Sequence, residues 1–286
     1  MERDWFRLVD YGVALETDIP TLRQQMGRLY SAFAVGHALA DFDLFQVTGT
    51  PSPEQGQPRF TIARSGEATF ETESYTDLVA HLEWSINTAA LRRLGHYYQL
   101  HAAAVSLDGT ALLFPAEPGG GKTTLALWLC LNGFQYLTDE VTLVSPDTLT
   151  VTPFPKSFGL KDGTVQLLWK LKPELGLSDY EGTFRQERIW YLPPAAISPR
   201  CVSGQARAGA VILVNHDPRR ATELTDYSKA RMVVELINQS FNFLAFKERG
   251  VEVLTRLVEQ AACFRLSVND LDRAATLIRQ VAGGLK

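Results

Sequence analysis

Ala116-Glu117-Pro118-Gly119-Gly120-Gly121-Lys122-Thr123 lies between an apolar run, Ala111–Phe114, and a second one with helical character, Thr123–Leu131. It reads as a Walker A loop with alanine at the first glycine position. The residue types follow from the chemistry. Glycines let backbone N–H groups curl around a phosphate without a Cβ in the way. The helix that follows aims its positive end at the anion. Lysine at 122 is placed to reach the β- and γ-phosphates, and the Thr123 hydroxyl to ligate Mg²⁺. The candidate nucleotide-binding set is Pro118, Gly119, Gly120, Gly121, Lys122, Thr123 and Thr124, the last as a residue of the first helical turn. A glycine-rich turn with a solvated lysine is the alternative. Three consecutive glycines and Lys-Thr, set between strand and helix, argue against it. Strand, loop, helix and the next strand, Phe134–Val144, make an α/β unit whose ligand end is the carboxyl edge of its strands.

Outward from the loop, Tyr97–Ser106 and Ala111–Pro115 read as strands around the turn Leu107-Asp108-Gly109-Thr110. Ala208–Val214 is a buried strand. Lys229–Phe241 is an amphipathic helix with Ala230, Val233, Val234, Ile237 and Phe241 on one face. Val251–Ala261 is a helix, Cys263–Val268 a strand, and Asn269 the cap of a final helix through Gln280. Six prolines and several glycines break up 150–205, where Val165–Leu171 suggests a short helix and Arg188–Leu192 a strand. Upstream, Phe6–Leu15 is strand-like and Thr21–Phe33 has helical spacing. Phe42–Thr48 reads as a strand, Gly49–Pro58 as a loop, and Phe60–Arg64 with Ala68–Thr72 as a hairpin around Ser65-Gly66. Asp77–Leu94 is a helix ended by Gly95. The expected organisation is an N-terminal α+β domain over 1–95 and a P-loop α/β domain over 96–286. Two domains also match 286 residues at about 150 per domain.

Composition narrows the classes. A net charge of −4 lacks the basic face that duplex nucleic acid requires, so no nucleic-acid partner is expected. Cys130, Cys201 and Cys263 are odd in number and form no CxxC, which argues against a disulfide framework or zinc site and fits a reducing cytoplasm. No apolar run approaches the roughly 18 residues of a membrane span, so no membrane partner is expected either.

A P-loop requires an acidic partner. Asp139-Glu140 follows the strand after the P-loop helix, and Asp217 follows the buried run Val211–Val214. The pattern alone leaves the two equal. Asn215-His216-Asp217-Pro218 is also turn chemistry, and Asp139 can serve as a strand cap.

Leu100-His101-Ala102-Ala103-Ala104-Val105, Asp108-Gly109, Gly119–Thr123, Gly133-Phe134 and Leu137-Thr138-Asp139-Glu140 together resemble the catalytic domain of the HPr serine kinase/phosphorylase superfamily. The resemblance is closest to HPr-kinase-like proteins of bacterial gene clusters, which include kinases of lasso-peptide precursors. It covers 97–145, is weaker over 146–282 and is absent over 1–95. It implies a P-loop kinase fold related to phosphoenolpyruvate carboxykinase, and ATP- and Mg²⁺-dependent phosphorylation of a serine hydroxyl. The nucleotide base is not read by a P-loop, so another triphosphate can serve. The resemblance makes Asp139 the base, ahead of Asp217, with His101 beside it and Lys122 on the phosphates. Glu140 becomes a metal ligand directly or through water, its alternative being a solvent-facing strand residue.

Thr123-Thr124 departs from the family's serine followed by an acid. Neither Glu181 nor Glu187 aligns with the family's later metal-binding glutamate. These departures, and the different N-terminal part, point to an acceptor other than HPr: another peptide or small protein. Lys156 and Lys161, in a proline- and glycine-rich stretch, are candidate phosphate or substrate ligands, with Arg185 and Arg188 fainter. The polar stretch 172–187 is a candidate lid. Relatives of this kind are often homo-oligomers. Two alternatives stand beside the peptide kinase: a kinase of a small-molecule hydroxyl, and a non-catalytic nucleotide-sensing regulator.

Overall fold

The computed structural model describes residues 2–51, 58–185 and 187–285. The chain opens with β1 (Arg3–Leu8) and β2 (Tyr11–Thr17), antiparallel from Leu8↔Tyr11 onward. The single strand expected over Phe6–Leu15 is therefore two. The turn between them uses Val9 at φ 59, a residue type that gives no turn signal. Gly12 marks the site of close approach, since a Cβ there would stand 2.1 Å from Asp41 O. After α1 (Pro20–Leu29), a 3₁₀ turn buries Phe33. Then come β3 (Ala34–Val35), β4 (Asp43–Pro51), β5 (Pro58–Arg64), β6 (Glu67–Thr72) and α2 (Tyr75–Arg93). Most of the expected Gly49–Pro58 loop, 52–57, lies outside the described residues. The strand order in this sheet is β3-β1-β2-β4-β5-β6. Ser74 caps α2, its Oγ accepting the Asp77 N–H at 3.2 Å.

The next elements are β7 (Tyr98–Leu100), β8 (Ala102–Leu107), β9 (Thr110–Pro115), α3 (Lys122–Leu131), β10 (Gln135–Thr138), β11 (Thr142–Val144) and β12 (Thr150–Thr152). Two strands expected to be continuous are interrupted. Tyr97–Ser106 breaks at His101, and Phe134–Val144 breaks at Asp139–Val141. The fragments pair in register across the breaks, β10 with β8 and β11 with β7. Leu100 and Ala102 flank the first break, and Leu137 and Leu143 stand one residue outside Thr138 and Thr142 at the second, so the pattern hides both, but the hydrogen bonds do not. The His101 N–H goes to Gln239 O at 2.6 Å. The N–H groups of Glu140 and Val141 go to Thr138 Oγ1 at 3.4 and 3.3 Å.

β13 (Phe158–Leu160), α4 (Asp162–Leu171), β14 (Glu181–Phe184) and β15 (Glu187–Leu192) follow, with a three-stranded sheet of order β13-β15-β14, and then α5 (Pro194–Ile197). The chain forms two compact units, Met1–Leu94 with Lys156–Ala196, and Gly95–Pro155 with Ile197–Lys286. The expected domain over 96–286 therefore loses its 156–196 portion to the first unit. Polar ties account for this. Ser157 N–H donates to Leu29 O at 2.9 Å, and Gln25 Nε2 to Thr183 O at 2.7 Å. Such ties between distant positions leave no local sequence signature.

The chain ends with β16 (Ala206–His216), β17 (Glu223–Asp226), α6 (Lys229–Asn238), α7 (Phe243–Phe246), α8 (Glu248–Gln260), β18 (Ala262–Val268) and α9 (Leu271–Gly284). The large sheet of the second unit runs β10-β8-β9-β16-β12-β11-β7, with β18 also on β16 and β17 on β18. One of its core clusters joins Leu113, Val151 and Val211 of the sheet to Met232, Leu236, Leu254 and Leu257 of α6 and α8. The buried face of α6 differs in part from expectation: Val233 and Ile237 pack, half-buried, against the core, as the spacing suggests. Met232 and Leu236 are buried, while Val234 is 57% and Phe241 51% exposed. The helix stops at Asn238, so Phe241 never joins its stripe. Asp270, not Asn269, caps α9 by accepting the Arg273 N–H at 2.9 Å. No helix among the described residues is long and apolar enough to cross a membrane.

Candidate active site

Strand directions in the second unit gather the candidate residues. The phosphate loop leaves the end of β9. β8 is antiparallel to β9, with Ala102 opposite Pro115, so His101 precedes β8 at that same edge. β10 is antiparallel to β8, so Asp139 emerges there too. β16 and β18 run parallel to β9 or to each other, and His216-Asp217 completes the row.

Gly119 and Gly121 hold φ values of 79 and 86, a left-handed backbone that favours glycine. A Cβ on Gly120 would come within 3.0 Å of both Ala116 Cβ and Glu117 O. Ala116 is fully buried, so its methyl group is core packing beneath the loop. Gly121 is the N-cap of α3 and supplies no side-chain cap. The first N–H groups of a helix have no intrahelical acceptor, and here they open onto the loop. Lys122 is buried, and its Nζ donates to Ala116 O at 2.6 Å and Glu117 O at 3.3 Å. Burial lowers its pKa, against the opposing pull of Glu117 and Asp139. A tight backbone cradle around a buried ammonium fits a polyphosphate. Thr123 and Thr124 are both half-buried in the first turn.

His101 is half-buried. Its Nδ1 lies 3.1 Å from Gln239 Oε1, and its ring centroid is 5.6 Å from that of Phe241. With the amide oxygen as acceptor, Nδ1 carries the proton and Nε2 keeps its lone pair. Burial lowers the imidazole pKa, Lys122 lowers it further, and Gln239, Glu140 and Glu117 oppose the shift. Asp139 Oδ1 accepts the Tyr136 O–H at 2.8 Å. Burial, then the Asp139 charge, push the Tyr136 phenol far up, so it remains a donor. Thus His101, Lys122, Asp139, Glu140 and Glu117 form one electrostatic group. The Asp217 carboxylate instead closes its own turn, accepting the Arg219 N–H at 3.0 Å and pairing with Arg219 and Arg220.

Among the described residues, no three His, Cys, Asp or Glu side chains form a metal cage. Magnesium at nucleotide sites characteristically takes one or two protein ligands beside phosphate oxygens. The Thr123 hydroxyl and the exposed Glu140 carboxylate fit that small donor set.

No protein-family model matches the sequence, and no curated protein matches it. Among solved structures, the chain is similar to the HPr(Ser) kinase/phosphatase from Coxiella burnetii, with a TM-score of 0.32 and 12% identity over 64% of this chain and 94% of that one.

The two candidate lysines lie in the first unit. Lys156 is buried and paired with Glu83 at 2.6 Å, and Lys161 is a surface partner of Glu187 at 3.3 Å. Arg188 pairs with Glu181 at 2.9 Å, and the guanidinium of Arg185 lies over the Phe184 ring. Four positions escaped the sequence reading as site residues: Glu117, Tyr136, Gln239 and His216. Glu117 was within reach, being inside the motif. His216 is adjacent to the loop, its Cβ 3.7 Å from where a Cβ on Gly121 would sit. Its Nδ1 meets Val268 O at 3.0 Å. Gln239 lies 138 positions from His101, and no local pattern links them.

Proposed function

We propose that the chain is an ATP- and Mg²⁺-dependent kinase that transfers a phosphoryl group to a serine-type hydroxyl of a peptide or small protein, ribosomal (lasso-type) precursor peptides among the acceptors to try. The observation that carries this reading is the convergence of His101, Lys122 and Asp139 at one sheet edge around a glycine cradle. The loop N–H groups and Lys122 hold the triphosphate and draw charge from the group in flight. Asp139 takes the hydroxyl proton. His101, neutral and with Nε2 available, orients the hydroxyl. Thr123 and Glu140 hold the magnesium ion, which neutralises phosphate charge when bound.

The test is mass spectrometry of the purified protein with ATP, Mg²⁺ and serine-containing peptides, including any precursor encoded beside its gene, with Lys122→Ala as control. A phosphorylated peptide that disappears with the control supports the proposal. Nucleotide binding without peptide modification overturns it in favour of a small-molecule kinase or a nucleotide-sensing regulator, which a panel of hydroxylated metabolites then separates.

A further inference from the structure

Among the described residues, the large apolar side chains that the second unit leaves exposed are Val234, Phe241, Leu244 and Val251, all between 234 and 251. Phe243 and Phe246 turn inward onto the core, Phe246 with its ring centroid 5.2 Å from that of Tyr98. Phe241 and Leu244 face out, Leu244 at 85% exposure. The backbone under Phe241 is held on both sides. β7 ends the order of the large sheet, and residues 239–242 lie along its free edge. The Phe241 N–H donates to Gln99 O at 2.9 Å, and Leu100 and Ser240 form an antiparallel bridge. Ser240 Oγ donates to Leu236 O at 2.6 Å. Asn242 accepts the Gln99 N–H on Oδ1 at 3.0 Å and donates from Nδ2 to Tyr97 O at 2.8 Å. An aromatic ring fixed in this way loses little freedom when a ligand covers it. Its centroid stands 5.6 Å from that of His101, so the exposed apolar surface begins at the candidate active site.

We propose that Phe241 is a specificity-determining residue that selects acceptors carrying a large apolar side chain close to the phosphorylated serine. The inference rests on the peptide-kinase reading above and names the acceptor class within it. Successive Cα atoms of a peptide are about 3.8 Å apart. With the serine hydroxyl at His101, the side chain that reaches Phe241 therefore belongs to a residue within about two positions of that serine. Water leaves both apolar surfaces as they meet. That gain is open only to a chain that continues past the hydroxyl, and a free hydroxylated metabolite has no such neighbour to offer. A second copy of this chain seated on Phe241 would stand over His101 as well and shut the acceptor out. The occupant that covers Phe241 and still leaves the site usable is the acceptor itself. A contiguous apolar surface beside polar active-site groups is also the usual mark of a binding surface.

The full-length protein is given ATP, Mg²⁺ and a set of single-serine peptides that differ only within about two positions of the serine, with leucine or glutamine at each. Phosphorylation is followed by mass spectrometry. At one position at least, leucine should exceed glutamine by about tenfold in kcat/KM, the low end of what an apolar contact discriminates. Phe241→Ser should bring that ratio to near one, and Phe241→Leu should keep most of it. The ratio is taken within one preparation, so partial misfolding of a variant does not alter it. Peptides phosphorylated with no preference, or a preference that survives Phe241→Ser, would overturn the inference and leave the kinase reading standing. A wild-type dimer in sedimentation that Phe241→Ser dissociates would assign the surface to a second copy and overturn it too. If no peptide is phosphorylated, the kinase reading falls and the inference falls with it.

Discussion

Tyr136 and Asp139 are joined by a single hydrogen bond, phenol to carboxylate at 2.8 Å, across the point where β10 ends. The fully buried ring aims a half-buried carboxylate. Tyr136→Phe should therefore leave the fold intact and cost about 1 kcal/mol, since Asp139 can turn to water. Phosphoryl transfer should fall several-fold, because the base loses its fixed orientation. Asp139→Asn should lower transfer by about 10²-fold or more. Urea denaturation and steady-state kinetics on both variants check this. Equal losses in the two would show that the phenol acts directly in the chemistry.

His101 and Gln239 predict a pH dependence. The imidazole pKa is lowered from its ordinary 6.5. As pH falls through 6.5 toward the folded value, the unfolded chain takes up a proton that the folded chain resists. Stability is therefore complete above 6.5 and declines on acidification, and activity loses its Nε2 acceptor over the same window. Gln239→Glu places a carboxylate beside Nδ1, favours the imidazolium, and should move the acid limb of the rate profile to higher pH. An unmoved limb would detach His101 from the rate.

Lys122→Met keeps the buried stem and removes the ammonium. Relief of a desolvated charge offsets two lost bonds to backbone carbonyls, so the melting temperature should change little. Triphosphate affinity should fall by at least about tenfold, the order of one lost charge-assisted contact. Calorimetry of unfolding and of ATP binding separates the two effects.

Lys156 and Glu83 form a buried pair with side chains 5% and 12% exposed. Breaking it by Lys156→Met should destabilise by about 3–5 kcal/mol, whereas Glu83→Leu with Lys156→Met should recover most of that loss. A double variant that is stable but cannot transfer phosphate would support a phosphate or substrate role for Lys156.

Elements whose signal is local were legible. The phosphate loop, the Ser65-Gly66 hairpin and the strand around Val211 stand where residue type and spacing put them, and the long helix stands close to its expected bounds, though it ends at Arg93 and Gly95 does not adopt a left-handed cap. The His101 and Asp139 segments were legible as residues but not as interruptions. A strand break marked only by a change of hydrogen-bond partner leaves the apolar pattern untouched. The face of α6 was read one row off: Val233 and Ile237 do pack against the core, but the neighbouring i, i+4 row of Met232 and Leu236 is the one fully buried. The allegiance of 156–196 to the first unit rests on pairs such as Gln25–Thr183, which no window along the chain contains.

The parallel pairing of β9 with β16 bears on how this chain comes off the ribosome. Leu113, two residues before the end of the strand that feeds the phosphate loop, has Val211 as its partner. The stretch 156–196 must be synthesised in between. Until β16 emerges, β9 has one unpaired flank and its nascent loop no stable seat. Long-range pairing of this kind slows folding and leaves an adhesive strand edge open. A chain truncated just before Ala206 should thus be captured by chaperones or aggregate, with its phosphate loop fully translated but unable to grip a ligand.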